Sequence, residues 1–460
     1  MGSGTEEAYG APRQSHWLTP VTSRRVTRRL PRAAVPVVLV VAAVALAVVG
    51  TLLAIPANAT PATAGPVSSQ GTWSPRDSTV FNYPLSPRRR DHYRIRNTII
   101  HAIKNSPAGS SINLTTFTFI DDHIADALLA AVRRGVSVQM LVNSKNSAFS
   151  EPLNRYRAGL KKIRKHLKRS TGRGGPSFVR ICQHSCRGRF GNLHTKIYLF
   201  SQVATAQYVS MVSSANLTDF AAVGQWNHLD TVVDQATYAQ LLSVFDAMRL
   251  RKPQPFRAFR TTKLDAWVFP RMGTTAATDP MIKQIKRVGC TLPASTPGGA
   301  PRRAVIRIAM YAWFDTRGIA LAKAVRQKWN QGCGIKIIYS IMNWQSLQIL
   351  RNPAGRGMIP MRRDVTLNGL GDVVDYNHSK YVALNGTFNG QPAKVVWSGS
   401  MNFTQLGIRS DDIIVRMSGQ RVLRDYLTNF GRVWNGPAIT MPPHVNAPAK
   451  TTKKHKTKKS

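Results

Sequence analysis

The chain has 460 residues, 43% of them apolar, and 64 Lys and Arg against 21 Asp and Glu, a net charge of +43. That apolar content and length exclude a wholly disordered chain and leave room for two lobes. The charge excludes an acid-rich solvating protein and directs the chain towards polyanions: acidic lipid surfaces, nucleic acid or anionic wall polymers.

Residues 1–32 read as a basic cytoplasmic or n-region containing Arg24, Arg25, Arg28, Arg29 and Arg32. Residues 33–57 follow as a signal peptide or transmembrane helix, since the uncharged run from Ala33 to Ile55 reaches the ~20 residues a bilayer needs. Pro56-Ala57-Asn58-Ala59 offers an Ala-x-Ala cleavage site, so cleaved leader and retained anchor both stay open. In either case the basic flank stays inside and the body is expected outside the cytoplasm, secreted or anchored. Residues 58–80 form a linker rich in Pro, Ser, Thr and Gly, and residues 446–460 a disordered basic tail. Removing both charged ends leaves about +33 on the body.

Between them lie two copies of one pattern, placed at 81–265 and 266–445. The first copy runs Ile112–Phe119 (strand), Ile124–Gly135 (helix) and Val136–Val142 (strand). It continues through Gly191-Asn-Leu-His194-Thr-Lys196 into an apolar run, then Tyr208–Val212 into the turn Ser213-Ser214-Ala215-Asn216, and ends with Asp230 on a further apolar stretch. The second copy repeats this order as Val305–Tyr311, Ile319–Val325 and Ile335–Tyr339. After these come Tyr376-Asn-His378-Ser-Lys380, the turn Gly399-Ser400-Met401-Asn402, and Asp412 before Ile-Ile-Val. Lys to turn Ser is 18 residues in one copy and 20 in the other. A repeat of this extent is a repeat of whole lobes. A third His-x-Lys, His166-Leu-Lys168, sits in a basic run with no strand after it and reads as a solvated segment.

The paired elements suit phosphodiester chemistry. Imidazole supplies a nucleophile and a proton donor near neutral pH, Lys supplies positive charge for the phosphoryl oxygens, and Asn adds neutral donors. On this reading His194 is the nucleophile and His378 the general acid; Lys196, Lys380, Asn216 and Asn402 bind phosphate, with Ser214 and Ser400 assisting.

In these motifs the chain resembles the phospholipase D superfamily, whose members carry two His-x-Lys-x4-Asp motifs, each followed by a Gly-Ser-x-Asn-like turn. The resemblance covers about Asn82 to Trp434. It implies an α/β fold of two similar lobes with pseudo-two-fold symmetry, each a mixed, largely parallel sheet flanked by helices, here preceded by one N-terminal hydrophobic helix. It also implies a monomer acting as an intramolecular pseudo-dimer, one site at the lobe interface, a phosphohistidine intermediate, and no required metal or cofactor. Asp230 and Asp412 resemble the acids that orient the two His rings. The chain departs from the pattern five residues past each Lys, where Ser201 and Asn385 replace the usual Asp; this resembles the tyrosyl-DNA phosphodiesterase branch and bears on substrate class. The expected activity is hydrolysis or transphosphatidylation of headgroups on an anionic or zwitterionic phospholipid membrane. A nuclease acting on DNA or RNA and a catalytically inactive polyanion-binding protein are the alternatives.

Cys182, Cys186, Cys290 and Cys333 form an even set in an exported chain and suggest two disulfides, Cys182 with Cys186 stapling the loop before the first His motif. Cys182-Gln-His184-Ser-Cys186 could instead hold zinc, but no fourth ligand lies nearby. The stretch from Leu292 to Ala304 reads as a surface loop entering the second lobe, and Trp313, Trp344 and Trp397 fall near strand ends.

Overall fold

The structure, a computed structural model, describes residues 73–144, 162–163, 165–167, 171–172, 175–292, 301–436 and 439–440. The basic N-region, the apolar run, most of the linker, the tail and part of the 292–304 loop lie outside the described residues. Among the described residues no helix is long and apolar enough to cross a membrane.

Two sheets carry the repeat. The first is built from β1 (Ser78–Phe81), β2 (Ser111–Thr116), β3 (Ser137–Asn143), β4 (Phe178–Cys182), β5 (Ile197–Val203), β6 (Ala206–Ser213) and β7 (His228–Val233). The second contains β8 (Asp265–Val268), β9 (Val305–Trp313), β10 (Gly334–Met342), β11 (Met361–Leu367), β12 (Val373–Asn377), β13 (Lys380–Phe388), β14 (Gln391–Gly399) and β15 (Ile413–Ser418). Spatial order is β1-β7-β6-β5-β2-β3-β4 in the first and β8-β15-β14-β13-β9-β10-β11-β12 in the second, so seven strands correspond one for one. β1 begins inside the stretch read as linker, and β8, paired with Arg257–Arg260, belongs to the second sheet.

Parallel pairing is narrower than expected. It joins β2 to β3, β3 to β4, β9 to β10 and β10 to β11, the first, third and fourth of these through helical connections, and β12 to Gln225–Trp226, while β5, β6, β7 and their counterparts pair antiparallel. The reason is connection length: two residues separate β5 from β6, which permits a hairpin and no crossover.

Helices α1 (Arg94–Lys104), α2 (Asp122–Arg133), α3 (Gln235–Arg249), α4 (Asp315–Asn330) and α5 (Gln420–Trp434) cover the sheets. Asp121 starts α2 by accepting the Ile124 N–H at 3.1 Å, and Asp234 starts α3 through Thr237 N–H at 2.7 Å, as N-caps do. On the outer face of the first sheet Ile112, Leu114, Val138 and Met140 pack on Ile99, Ile124 and Leu128. Ile306, Ile308 and Ile337 pack likewise on Leu321 and Val325. Between the sheets one shared core takes Leu199 and Val212 from the first, Ala383, Val396 and Val415 from the second, and Leu241, Phe245, Leu423 and Tyr426 from α3 and α5. Trp313 and Trp397 are core residues.

Both disulfides are present, Cys182–Cys186 and Cys290–Cys333, so the zinc alternative for the first pair has no thiolates to use. His166 is exposed, with its ring on the Lys162 carbonyl. The Cys290–Cys333 bridge closes 43 residues of sequence, for which loop-closure entropy gives about 4 kcal/mol. Replacing both cysteines with Ser should lower unfolding free energy by up to that amount in a denaturant titration; an unchanged midpoint would show that the bridge adds nothing.

Candidate active site

Each His stands at the mouth of its strand, His194 and Lys196 ahead of β5 and His378 ahead of β13, which opens on Lys380. What fixes the motif loops is the opposite lobe. Leu193 forms a parallel bridge to Asp411, with His194 N–H donating to Asp411 O at 2.9 Å and Asp411 N–H to Asn192 O at 2.8 Å. In the other half Tyr376 and Asn377 pair in parallel with Gln225 and Trp226, and His378 N–H donates to Trp226 O at 3.0 Å. The first crossing requires Gly191, whose φ is +77° and whose notional Cβ would lie 2.3 Å from Arg409 O.

These crossings aim the rings. His194 Nδ1 lies 2.9 Å from Asp412 Oδ1, and His378 Nδ1 lies 2.9 Å from Asn227 Oδ1. Asn227 Nδ2 donates to Ala221 O at 3.0 Å, which fixes the amide so that its oxygen faces the ring. Both imidazoles therefore carry hydrogen on Nδ1 and keep Nε2 for substrate. Ser214 Oγ donates to Asn227 Oδ1 at 2.8 Å and Ser400 Oγ donates to Asp412 Oδ1 at 2.5 Å; the two serines hold the residues that orient the histidines.

Asp230 is not one of those residues. Its carboxylate accepts from Thr79, Ser398 and Tyr426 at 2.7–2.9 Å and ties the lobes together, away from His378. Register explains the difference. Leu229 pairs with Ser213 as Ile414 pairs with Gly399, so Asn227 occupies the place of Asp412, and Asp230 that of Val415. Reading for an acid passed over an Asn that performs the same hydrogen bonding; its place directly before β7 was the available signal.

The lysines mirror each other. Lys196 is fully buried and donates to His194 O at 2.6 Å, and Lys380, 2% exposed, donates to His378 O. Phe117 backs the first pair, its ring 5.4 Å from His194 and 5.6 Å from Lys196 Nζ; Tyr311 backs the second at 5.0 and 4.9 Å. Asn216 and Asn402 are half-buried, each with a buried Oδ1 lacking a hydrogen-bond partner. Their turns are pinned by the bridges Phe119–Leu217 and Trp313–Phe403, and by Thr218 and Thr404 capping short helices. Gly399, at φ +129°, has no space for a Cβ, whereas Ser213 in the matching place uses its hydroxyl on His228 O at 2.6 Å.

Burial depresses every cation here. It lowers the Lys196 ammonium to about 7, partly opposed by Asp412, and holds Lys380 well below its ordinary range, with the Lys196 charge adding to the effect. His194 is lowered by burial and partly restored by Asp412, while His378 lies well below 6.5 through burial and the two Lys charges. The crossed pairings and the ring bonds made from the opposite lobe bring both motifs together. Sequence reading also missed His228, fully buried, pushed down to about 3 by burial, and accepting Gly399 N–H at 3.3 Å. Ser201 Oγ instead accepts Ser111 N–H at 2.8 Å, and Asn385 stands opposite Val305.

The disulfide loop reaches the same centre. Cys186 N–H and Arg187 N–H donate to the buried carboxyl of Asp411, which burial raises to about 7, and Asp411 precedes Asp412.

Asn227→Ala should lower turnover ~10- to 100-fold, the usual loss for a hydrogen-bonded positioning group, with KM nearly unchanged. Asp230→Asn should lower the melting temperature and leave turnover within a few-fold. The opposite pattern in steady-state kinetics would return the orienting role to Asp230.

The family model described as "Cardiolipin synthase, PLD-like domain" matches residues 99–249 and 303–434. Among curated proteins none matches in sequence. The fold is similar to polyphosphate kinase from Porphyromonas gingivalis, with TM-score 0.50, 14% identity, and 78% of this chain and 51% of that one covered; the chain thus spans about half of that kinase. It is similar also to phosphatidylserine synthase from Haemophilus influenzae, with TM-score 0.50, 11% identity, and 79% and 87% covered. The phospholipase D family member Nuc from Salmonella typhimurium aligns at TM-score 0.29 and 19% identity over 38% of this chain and 96% of its own. Because the family match takes in both halves of the repeat and more than half of the sequence, the chain belongs to the PLD-like domain family of the phospholipase D superfamily.

Proposed function

We propose that the chain is an exported phosphodiesterase of phospholipase D type that hydrolyses or transfers phospholipid headgroups. Members of the superfamily are phosphodiesterases and phosphotransferases, and the two imidazoles fit that chemistry with defined roles. His194 Nε2 attacks phosphorus, the bond from phosphorus to the leaving alcohol oxygen breaks, and His378 Nε2–H protonates that oxygen. Water, or an acceptor alcohol, then gives its proton to His378 and displaces His194 from phosphorus.

The assignment of roles follows from the orienting groups. Asp412 stabilises the positive charge His194 acquires on phosphorylation, whereas Asn227 offers His378 only a neutral dipole and leaves it ready to give up a proton. An anionic phosphodiester seated against Lys196 and Lys380 offsets the charges that depress His378, so substrate binding itself favours the protonated acid. Asn216 and Asn402 supply amide N–H donors to the equatorial oxygens.

The observation that carries the lipid reading is an apolar rim beside His378. Phe220, 41% exposed, has its ring 6.0 Å from Tyr376, which lies 6.0 Å from His378, and Val373, Val374 and the 89%-exposed Leu370 precede Tyr376 on the same hairpin. Exposed aliphatic side chains at a phosphodiester site suit acyl chains better than a nucleic acid backbone. The charge of +43 supports the nuclease alternative, and the experiment separates the two.

The full chain in detergent is offered phosphatidylglycerol–phosphatidylcholine vesicles and plasmid DNA side by side. Headgroup release, or transfer to added alcohol, should fall ~10²- to 10⁴-fold in His194→Ala and in His378→Ala, without additivity in the double variant. Cleavage of DNA alone would establish the nuclease, and inertness towards both would leave a polyanion-binding protein. Because the charged form of Lys196 binds phosphate, kcat/KM should decline as pH rises through about 7, and Lys196→Arg should move that limb to higher pH. A limb unmoved by Arg would take Lys196 out of phosphate binding.

A further inference from the structure

On the hairpin β11–β12, Thr366 stands opposite Asp375 and Val365 opposite Tyr376. Asp364 and Asn377, the next residues in that register, therefore share the face of Thr366 and Asp375. The Ser340 hydroxyl on β10 ties the two strands, lying 2.9 Å from Asp364 O and 2.7 Å from Asn377 O. Trp226, paired with Asn377 from the first lobe, completes this face by donating Nε1–H to Asp375 Oδ1 at 3.1 Å.

The face is buried, with Asp364, Asp375 and Asn377 each 1% exposed. Both carboxylate oxygens of Asp364, Oδ2 of Asp375, both amide atoms of Asn377 and the Thr366 hydroxyl have no hydrogen-bond partner, although the Thr366 hydroxyl is close enough to Asp375 to offset part of the rise that burial imposes on its carboxyl. Among the described residues neither carboxylate takes part in an ion pair. Burial and then the Asp375 charge push the Asp364 carboxyl well above its ordinary range. Unsatisfied groups of this kind are costly, and two carboxylates with an unpartnered amide between strands are a preformed set of oxygen donors.

We propose that Asp364, Asp375 Oδ2 and Asn377 Oδ1 bind a hard divalent cation, Ca²⁺, in the second lobe. The donors are all oxygens, carry two negative charges and include no thiolate or imidazole, the donor type Ca²⁺ takes; they supply four of the about six to eight oxygens of its shell, and the unpartnered Thr366 Oγ1 on the same face offers a fifth. The ion touches no reacting atom. Its place in the chain gives it a positioning role: Asn377 directly precedes His378 and Trp226 directly precedes Asn227, so one ion fixes the approach of both partners in the His378–Asn227 hydrogen bond. The competing arrangement is a carboxyl pair that shares a proton and needs no ion.

The full chain in detergent, stripped with EDTA, is titrated with CaCl₂ and separately with TbCl₃. Ca²⁺ should raise the melting temperature, and Tb³⁺ should emit on indole excitation through Trp226 and be displaced by Ca²⁺. Asp364→Asn and Asp375→Asn should each weaken both responses at least about 10-fold, as loss of a carboxylate ligand requires. Trp226→Phe should quench the sensitised emission yet keep the Ca²⁺ stabilisation, and His194→Ala should bind Ca²⁺ as the native chain does. A melting temperature indifferent to about 10 mM Ca²⁺, well above the ~10⁻³ M of the weakest calcium modules, would overturn the proposal. So would a Ca²⁺ response that survives both Asn substitutions.

Discussion

Everything at the centre of this molecule depends on two crossed backbone pairings. The strand mouth that presents His194 is bonded to the segment that presents Asp412, and the mouth that presents His378 to the segment that presents Asn227. Each histidine is thus carried by one lobe and aimed by the other, so neither lobe holds a complete site. The close approach at Gly191 makes the first crossing possible, and the shared core between the sheets keeps both in register.

Such a site is electrostatically expensive. Lys196, Lys380 and His378 lie out of water and His194 is half-buried, with the Asp412 carboxylate hydrogen-bonded to His194, and burial of cations in apolar surroundings favours their neutral forms. Proton affinity in the free site is accordingly depressed, and an anion seated there favours the charged forms. A phosphodiester, like any anion, then supplies the charge that the fold withholds. Placing a carboxylate behind one ring and an amide behind the other breaks the symmetry of the repeat where the two histidines must act differently.

Much of this was legible in the sequence. The lobes, the strand–helix–strand order, both His-x-Lys motifs and the Asn turns could be read because apolar periodicity and spacing repeat in both halves. Antiparallel pairing of β5 and β6 was missed since apolar runs look alike in either direction, and only the two-residue connection distinguishes them. Asn227 was missed for a chemical reason: an amide oxygen accepts the same hydrogen bond as a carboxylate, so a pattern of acids skips it and stops at Asp230, whose real partners are Thr79, Ser398 and Tyr426. The apolar rim, the Asp364–Asp375 face and the contact of the disulfide loop with Asp411 are products of tertiary contact and have no local signature, although the Cys182–Cys186 bridge itself could be read from its spacing.

Ser201 and Asn385, the conspicuous departures from the family pattern, bear less on substrate than their sequence positions suggest. Each lies five residues beyond its lysine on β5 or β13, which at ~3.3 Å per residue places it roughly 17 Å down the strand. Ser201 accepts a backbone N–H from β2, and Asn385 stands in register with Val305 and Lys394. Neither side chain at that distance contacts phosphorus or a histidine ring, so exchanging a carboxylate there alters strand pairing and local charge, not the reacting groups. The side chains that bear on the proposed lipid substrate lie elsewhere, on the exposed Phe220 beside Tyr376 and on the Leu370–Val374 stretch that leads into Tyr376 and His378.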